Sequence, residues 1–380
     1  MIIKSKKKGD KIRVLEVITV LGYGGAERVA MLLADSLDKE KFETSVLGMF
    51  GNGPLRDELI KKSIPHLYFS ADASSRLNVQ WQLFRVLKEK EVDIIHVHGS
   101  FLLTRCILPA MVSGARVIHT EHAKYSLQTL PRLRFMARFA FKRCQAIVSV
   151  SNDLKIFLTT EVGCADDRIT VIHNGVDVAK FGEEKVSREI FGSRELSDET
   201  VLVVTVGRLE EPKDHVRLLE AWSMLSHVKN LLLVIVGEGS LRRSLEGRAK
   251  ELGIDDRVLF LGPRSDIARI LSTCDMFVLS SKREGFPVAL LEAMASKKAC
   301  IATDVGGIRE IIEDEEVGVV VSPEDPGALT SAIVSLIEDK NRRDELGKKG
   351  RRLVEERFSQ EGMVKKYENL MSEVMGLQKN

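Results

Sequence analysis

The amino-acid sequence predicts an α/β protein built from two doubly wound parallel sheets, one in each half of the chain. Its 380 residues suffice for two domains that each bury a core of their own. Short apolar runs with little polar alternation are separated by amphipathic helical stretches, which is typical of parallel strands buried on both faces. This series ends near residue 177 and starts again near residue 200, so the second half repeats the architecture of the first.

Apolar runs and helical periodicity define the elements of each half. In the first half, we expect strands at 12–20, 42–50, 92–99, 115–122, 145–151 and 169–177, and helices at 26–37 and 79–90. In the second half, we expect strands at 200–209, 230–239, 257–262, 276–281, 299–304 and 317–323, and helices at 214–226, 240–252, 287–296 and 326–339.

The segment between residues 178 and 198 is charged and lacks a strand pattern, so we expect it to link the two domains. The first domain then spans residues 1–178 and the second spans residues 179–357. One last amphipathic helix is expected within the final segment, 358–380.

Composition and charge exclude several classes of function. Hydrophobic residues make up 44% of the chain, and the net charge of +2 gives no reason to expect a nucleic-acid partner. Five scattered cysteines without CxxC spacing predict neither a disulfide framework nor a zinc site, and they suit a reducing compartment. The basic and then apolar start is similar to a signal peptide, but Arg13 and Glu16 interrupt its apolar run. Because no apolar run reaches about 18 residues, we expect a cytoplasmic protein.

Glycine-rich loops follow several of the predicted strands. Open α/β sheets bind ligands beyond the carboxyl ends of their strands, so two sheets that face each other would form a cleft lined by these loops. Gly24 and Gly25 open a helix, where backbone N–H groups can approach a phosphate, although a plain tight turn is the alternative. Similar loops begin at Gly237 and Gly306. The full GxGxxG pattern is absent, which disfavours a dinucleotide oxidoreductase.

Histidines end two of the predicted strands. His119 and Glu121 should share one face of their strand, whereas His122 should point to the other face. His122 is therefore a candidate for contact with a ligand in the cleft, with a hydrogen-bonded core histidine as the alternative. His96 and His98 share a face of an earlier strand, where a structural role is favoured over contact with an acceptor.

Two cations follow the first strand of the second half. Arg208 and Lys213 lie just after a strand end and near a helix start, which suits a clamp for a diphosphate. The intervening Glu210 and Glu211 support the alternative, a solvated charged loop.

Residues 283–293, REGFPVALLEA, contain the start of an apolar helix. Pro287 fits the first helical turn because its φ is fixed and it has no N–H to satisfy. The amides of Phe286, Val288 and Ala289 would then point from a helix N-terminus and could hold phosphate or sugar oxygens.

Two acids flank this helix start. Glu284, in the loop before it, can accept hydrogen bonds from sugar hydroxyls. Glu292, inside the helix, is either a surface residue or a buried acid that needs a hydroxyl or amide partner. A ribose diol would offer two such donors.

Taken in order, the motifs have a family resemblance. GRLEEPKD, VGEGSLRRSLE, EGFPVALLEAMA and ATDVGGIREII follow one another, with GGAERVA and IHNGVD upstream. The chain resembles, over nearly its full length, the retaining nucleotide-sugar glycosyltransferases of family 4, which have the GT-B fold. Glu284 and Glu292, with seven residues between them, match the EX7E motif of that family.

The resemblance implies a role for each matched residue. Glu284 would contact the donor sugar and Glu292 the ribose, while the cations Arg208 and Lys213 would hold the diphosphate and stabilise its departing charge. Arg264 would flank the base through backbone atoms. The groups assigned to the chemistry are His122, Arg208, Lys213 and Glu284. The donor-binding set comprises Gly24, Gly25, Arg208, Lys213, Gly237, Arg264, Glu284, Gly285, Phe286, Pro287, Val288, Ala289 and Glu292.

The resemblance also implies how the domains divide the work. The first domain would bind the acceptor and the second the donor, and the final helix would cross back onto the first domain. The donor would be a nucleotide-sugar, with UDP expected before GDP, and the transferred group a hexose or N-acetylhexosamine. No DxD motif stands at a strand end, so we expect neither a metal nor another cofactor. With no obvious nucleophile, front-face attack assisted by the leaving phosphate is favoured.

The segment 130–144 interleaves five basic residues with phenylalanine and leucine. Such a helix can lie on anionic membrane, and an ordinary amphipathic helix packed on the sheet is the alternative. Membrane contact would suit a glycan or lipid-linked acceptor at the inner face of the membrane. Two other functions stay open at this point: a nucleotide-sugar epimerase of the same fold, and a non-catalytic two-domain protein that binds sugar.

Overall fold

The structure, a computed structural model, describes residues 10–70, 76–182, 191, 197 and 199–377. The chain forms two compact units: Met1–Asn174 together with Gln360–Asn380, and Gly175–Ser359. The first boundary lies close to the predicted one at residue 178. Most of the predicted linker, and most of the basic tail before the first strand, lie outside the described residues.

The first unit contains a seven-stranded sheet in the order β3-β2-β1-β4-β5-β6-β7, and all of its neighbouring strands are parallel. The direction of the strand order reverses between β1 and β4, so the switch point of this doubly wound sheet lies between these two strands. The short β3 was not predicted, and β7 ends earlier than expected. The strands are Ile12–Ile18 (β1), Phe42–Gly48 (β2), His66–Tyr68 (β3), Ile94–His98 (β4), Arg116–Glu121 (β5), Ala146–Ser149 (β6) and Ile169–Val171 (β7).

Helices alternate with these strands. Sequence analysis did not predict the helix after β4, an apolar segment that contains Pro109 and whose inner residues are buried. The helices of this part are Gly25–Ser36 (α1), Leu55–Lys61 (α2), Arg76–Glu89 (α3), Ser100–Ser113 (α4), Tyr125–Thr129 (α5), Pro131–Phe141 (α6) and Asn152–Phe157 (α7).

The second unit repeats this plan with a six-stranded parallel sheet in the order β10-β9-β8-β11-β12-β13. The switch point lies between β8 and β11. All six strands fall within the segments that the sequence predicted. They are Val201–Val206 (β8), Leu231–Val236 (β9), Val258–Gly262 (β10), Met276–Leu279 (β11), Ala299–Thr303 (β12) and Val319–Val321 (β13).

The helices of the second unit cover its core, which centres on the fully buried Trp222. The longest helix was missed because its apolar signal is sparse: Leu346 and Val354 are its only buried large apolar residues. The helices are His215–Ser223 (α8), Arg242–Glu251 (α9), Ile267–Thr273 (α10), Val288–Ala295 (α11), Ile308–Ile311 (α12), Pro326–Glu338 (α13) and Lys340–Arg357 (α14).

The last helix, Gln360–Val374 (α15), belongs to the first unit. Gln360 Nε2 donates to Ser36 Oγ at 2.7 Å, and the hydroxyl oxygens of Tyr367 and Thr120 lie 3.1 Å apart. Tyr367 is almost fully buried, so α15 packs on the sheet of that unit. Within the described ranges, no helix is both long enough and apolar enough to cross a bilayer.

Candidate functional site

In the second unit, the loops that follow β8, β9, β11 and β12 lie at the carboxyl ends of adjacent strands. These are the positions at which open parallel sheets bind their ligands. The loops carry most of the residues that sequence analysis assigned to a nucleotide-sugar donor.

Lys213 and Glu284 form the charged centre of this region. Lys213 Nζ lies 2.5 Å from Glu284 Oε1, and Ser281 Oγ donates to the same carboxylate oxygen at 2.6 Å. The side chain of Glu284 is 9% exposed and that of Lys213 is 22% exposed. A cation and an acid that are far apart in sequence therefore meet in a partly dehydrated place, where their interaction is stronger than it would be in water.

Backbone hydrogen bonds hold the two loops that carry this pair. The amide of Lys282 donates to the carbonyl of Pro212 at 2.9 Å, and Ser280 Oγ donates to the carbonyl of Lys213 at 3.1 Å. These hydrogen bonds fix the backbone around Lys213 to the loop that follows β11, so only the side chain of Lys213 is left flexible.

Helix α11 begins beside Glu284. The structure corrects one detail of the prediction, because Pro287 is the N-cap and the helix starts at Val288. The first helical N–H bonds come from Leu290 and Leu291, both to the carbonyl of Pro287, at 3.2 and 3.5 Å. The amides of Val288 and Ala289 precede them, as the free N–H groups of a helix start do.

The side chain of Glu292 is buried, with 4% of the residue exposed. The alternative of a surface helix residue is therefore wrong. The neighbouring apolar side chains of α11 are also buried, so Glu292 lies in the interior of the unit.

Glycines bring the loops into direct contact. Gly237 has a φ of +145°, and a Cβ on it would overlap the carbonyl oxygen of Gly207. Gly306 has a φ of +59°, and a Cβ there would overlap the carbonyl oxygen of Glu284. Gly307 N also donates to Gly285 O at 2.9 Å. Only glycine permits these close approaches at positive φ, so the glycine turns pack the loops together.

Two arginines lie at the periphery of this region. Arg208 is exposed, directly after β8. The guanidinium of Arg264 is engaged by Asp266 through two hydrogen bonds, of 2.7 and 2.6 Å. This bidentate pairing occupies the side chain of Arg264 within its own loop.

In the first unit, α1 begins at Gly25, one residue before the predicted start, with Gly24 as its N-cap, and the position that a Cβ of Gly25 would occupy is open. The carboxylate of Glu27 lies against Gly24. The side chain of Glu27 thus fills the space that a Cβ of Gly24 would need.

A buried polar cluster lies on one face of the first sheet, and His122 is its only member that belonged to the predicted site. Glu16 and His96 are register partners on β1 and β4, and His98 is the register partner of Thr120 on β5. Glu16 Oε2 lies 2.7 Å from His98 Nε2 and 2.8 Å from His96 Nδ1. His98 Nδ1 in turn lies 2.8 Å from Nε2 of the partly exposed His122.

Burial and charge set the protonation of this cluster. Burial disfavours the charge of Glu16, but the charge of His96 and the hydrogen bonds from both histidines outweigh it and lower the pKa of Glu16 to about 2. Burial, with repulsion from His96, lowers the pKa of His98 to about 4. Burial also lowers the pKa of His122 well below its ordinary value. Glu16 is thus ionised and His98 and His122 are neutral near pH 7.

The other face of β5 carries His119 and Glu121, which confirms the predicted separation from His122. His119 Nδ1 donates to the carbonyl of Val97 at 3.1 Å, and its Nε2 lies 3.4 Å from Glu121 Oε2. Ser100 Oγ donates to the same carboxylate. His119 is fully buried against Phe141, so its contacts are those of a core residue.

Glu16, His96 and His98 are of the residue types that hold transition metals, and one ligand atom of each lies within 4.8 Å of the others. Their contacts, however, are hydrogen-bond distances. Two ligands of a tetrahedral zinc ion, each about 2.0–2.2 Å from it, stand roughly 3.3 Å or more apart. The observed 2.7 and 2.8 Å separations suit shared protons rather than a shared ion.

The segment 130–144 forms helix α6 and its flanks. Phe135 and Phe139 are 61% and 57% exposed, with ring centroids 5.0 Å apart, and Leu130 is 50% exposed. The basic side chains at the surface around them are Arg132, Arg138, Lys142 and Arg143. The helix buries Leu133, Ala137, Ala140 and Phe141, so it is amphipathic and also presents apolar residues to solvent.

The second unit thus brings Lys213, Glu284 and the start of α11 together, a contact that the sequence did not predict. Sequence analysis missed the buried polar cluster around Glu16. It interpreted Glu16 only as a break in an apolar run. A charged residue in the middle of a buried strand, followed by two histidines on one face of a later strand, was the available signal.

Sequence models of two protein families match the chain. The model described as Glycosyltransferase Family 4 matches residues 23–180, and the model described as Glycosyl transferases group 1 matches residues 186–353. Together they cover every strand of the two sheets except β1, which precedes the first matched residue.

Two curated relatives are similar over most of their length. An Escherichia coli enzyme named UDP-Gal:alpha-D-GlcNAc-diphosphoundecaprenol alpha-1,3-galactosyltransferase is 27% identical over 88% of this chain and 90% of its own. The N-acetyl-alpha-D-glucosaminyl L-malate synthase of Bacillus anthracis is 26% identical over 84% of this chain and 88% of its own. Among solved structures, Anabaena HepE in complex with UDP-glucose has a TM-score of 0.85 at 19% identity, over 95% of this chain and 100% of its own, a likeness of fold.

Proposed function

Because the chain belongs to the family 4 glycosyltransferases and has their GT-B fold of two Rossmann-like domains, we propose that it transfers a hexose or N-acetylhexosamine from a UDP-sugar. The acceptor we propose is a glycan or a lipid-linked sugar of the cell envelope. The observation that carries the proposal is the Lys213–Glu284 pair beside the start of α11. One set of loops thus contains a cation that could bind phosphate, an acid that could accept hydrogen bonds from sugar hydroxyls, and the free amides of a helix start.

The charge at these loops matches the needs of the reaction. When the bond between the sugar C1 and the phosphate oxygen breaks, negative charge grows on the diphosphate. Lys213 and the exposed Arg208 are placed in the same loop to stabilise that charge, and the amides of Val288 and Ala289 add the positive end of a helix. Glu284 would accept hydrogen bonds from the sugar and Glu292 from the ribose.

We propose that the reaction retains the anomeric configuration. The acceptor oxygen forms the new bond to C1 on the face that the diphosphate leaves, and the acceptor proton passes to the leaving phosphate oxygen. The E. coli relative is named for an α-1,3 linkage, and an α-linked product from an α-linked UDP-sugar would mean retention. His122 is proposed to contact the transferred sugar. Since fixed cations supply the positive charge, we propose that no metal is needed.

For the acceptor, a lipid-linked sugar is favoured over a small soluble one. The two relatives differ here, since one is named for a diphosphoundecaprenol acceptor and the other for L-malate. The exposed Phe135 and Phe139 beside basic residues on α6 suit an enzyme that works at the inner face of an anionic membrane.

The donor site is tested by transfer assays with a panel of nucleotide-sugars. We expect Lys213→Met to lower kcat by roughly 100-fold or more, because it removes a group that stabilises the departing charge. Glu292→Gln should weaken UDP binding, measured by the smaller rise in melting temperature that UDP produces. Lys349→Met, which breaks an exposed pair with Glu316, is the matched control. Full activity of the Lys213 variant would refute the assignment.

The same assay separates the finer claims. Retention is checked by NMR of the anomeric centre in the glycoside product, and an inverted anomer would contradict it. Activity that EDTA abolishes and a divalent cation restores would contradict metal independence. Conversion of the donor sugar with no acceptor present would identify the epimerase instead, and ligand binding without turnover of any donor would identify a sugar-binding protein.

Membrane contact is tested by sedimentation with vesicles that contain anionic lipid. We expect Phe135→Ser combined with Phe139→Ser to lower the bound fraction several-fold, because two exposed apolar side chains leave the interface. Trp81→Ser serves as the control, since Trp81 is 57% exposed on α3 of the same unit. Equal binding by the double variant and the control would overturn the proposed surface.

A further inference from the structure

The chain of contacts from Glu16 to His122 determines where the protons lie. Glu16 is fully buried in the middle of β1, and its contacts with His96 and His98 lower its pKa, so its carboxylate is ionised and has no proton to donate. His98 Nε2, 2.7 Å from Glu16 Oε2, must therefore carry the proton of their hydrogen bond. A neutral imidazole has one N–H, so Nδ1 of His98 is left with a lone pair.

His122 completes the sequence of donors and acceptors. Its Nε2 lies 2.8 Å from His98 Nδ1, and the planes of the two rings are 22° apart with centroids 5.1 Å apart. Because His98 Nδ1 can only accept, Nε2 of His122 must donate. We propose that Glu16 and His98 are positioning residues that hold His122 in one tautomer, with the proton on Nε2 and a lone pair on Nδ1.

This tautomer decides what His122 can bind. Nδ1 of His122 has no hydrogen-bond partner among the residues that the structure describes, and it is not among the fully buried unpaired atoms. The ring therefore offers an acceptor, and no donor, to a ligand. The ligand group that fits is a hydroxyl, which donates its proton to Nδ1. That this hydroxyl belongs to the transferred sugar rests on the proposed function; the tautomer does not.

The neighbouring ionisable groups are compatible with this assignment. His96, from β4, approaches the same oxygen of Glu16, and its Nε2 lies 2.8 Å from Thr120 Oγ1. Thr120 can in turn accept from the hydroxyl of Tyr367 on α15, 3.1 Å away. Glu16 Oε2 thus remains the acceptor of the proton on His98 Nε2. His119 and Glu121 face the opposite side of the sheet.

The test is the tautomer itself, read from the two-bond and three-bond ¹H–¹⁵N couplings of the full chain labelled with ¹⁵N-histidine. His122→Asn identifies the signals of His122. We expect the wild-type ring, without any ligand near pH 7, to show one tautomer with the proton on Nε2. A proton on Nδ1, or rapid exchange between the tautomers, would overturn the proposal whether or not the variants of Glu16 and His98 fold.

Variants then test the cause. His98→Phe keeps a ring in place but removes the acceptor, and Glu16→Gln replaces an acceptor-only group with one that also donates; each should end the single tautomer. His119→Phe is the matched control, because His119 is a buried histidine on the neighbouring strand β5 and takes no part in the contacts between Glu16, His98 and His122. If His122 keeps a single Nε2–H tautomer in both His98→Phe and Glu16→Gln, Glu16 and His98 do not set that tautomer.

Kinetics separate the inference from the proposed function. If the transferase proposal holds, His98→Phe should lower kcat/KM roughly tenfold or more, while UDP still raises the melting temperature as in the wild type, because Lys213 and Glu292 are untouched. If no donor is turned over by the wild type, the proposed function fails, yet the tautomer measurement still decides the inference.

Discussion

The effect of burial on the pKa of one side chain, His215, can be measured directly in this protein. It opens α8 two residues after Lys213, is 3% exposed, and its Nδ1 has no hydrogen-bond partner in the described part of the chain. Burial, with repulsion from Lys213, lowers the pKa of His215 from 6.5 to about 4. The folded state therefore keeps the ring neutral at pH values where the unfolded chain would already bind a proton.

The sign and size of the effect follow from this difference. Since the unfolded state takes up the proton first, the folded state is fully favoured above about pH 6.5 and loses stability as the pH falls toward 4. Between pH 7 and pH 5 the loss amounts to about 2 kcal/mol for this one group. His98, whose pKa burial also lowers to about 4, should contribute a similar amount in the first unit. Such losses are a large part of the usual net stability of about 5–15 kcal/mol.

Proton uptake on unfolding measures this without assuming a two-state transition. When an unbuffered solution near pH 5 is unfolded with urea, His215 should bind close to one proton from the solvent. His215→Gln should lower the uptake by that amount. His227→Gln is the matched control, because His227 is exposed and its ring stays solvated in both states. If both variants take up as many protons as the wild type, the reasoning about His215 is wrong.

Two further substitutions test the packing of each unit. Gly237→Ala should lower the free energy of unfolding of the second unit by about 2 kcal/mol or more, because its φ of +145° and the carbonyl of Gly207 exclude a Cβ. Thermal unfolding followed by circular dichroism checks this. The control is Gly247→Ala, where a Cβ meets open space inside α9, and this change should be neutral or stabilising. Tyr367→Phe removes the hydroxyl beside Thr120 and should cost about 1 kcal/mol in the first unit; an unchanged urea midpoint would contradict this role.

Elements with a strong local signal could be predicted from the sequence. The apolar strands of the second sheet all fall inside the predicted segments, because a strand buried on both faces needs a continuous apolar run. Helix α14 escaped prediction because most of its surface is charged and exposed, with few apolar residues to show a period. Its stability depends on the neighbours on which it packs, which local periodicity does not reveal.

The sequence alone determined the two α/β halves, the glycine turns after their strands, and the spacing of Glu284 and Glu292, because these depend on residues close together in the chain. Only the tertiary structure decided that Lys213 meets Glu284, 71 residues away, and that Glu292 is buried. It alone aligned Glu16, His98 and His122, since their meeting depends on the parallel pairing of β1 with β4 and β4 with β5. A side-chain period of two selects the face of each strand, but strand order and register select the partner across it.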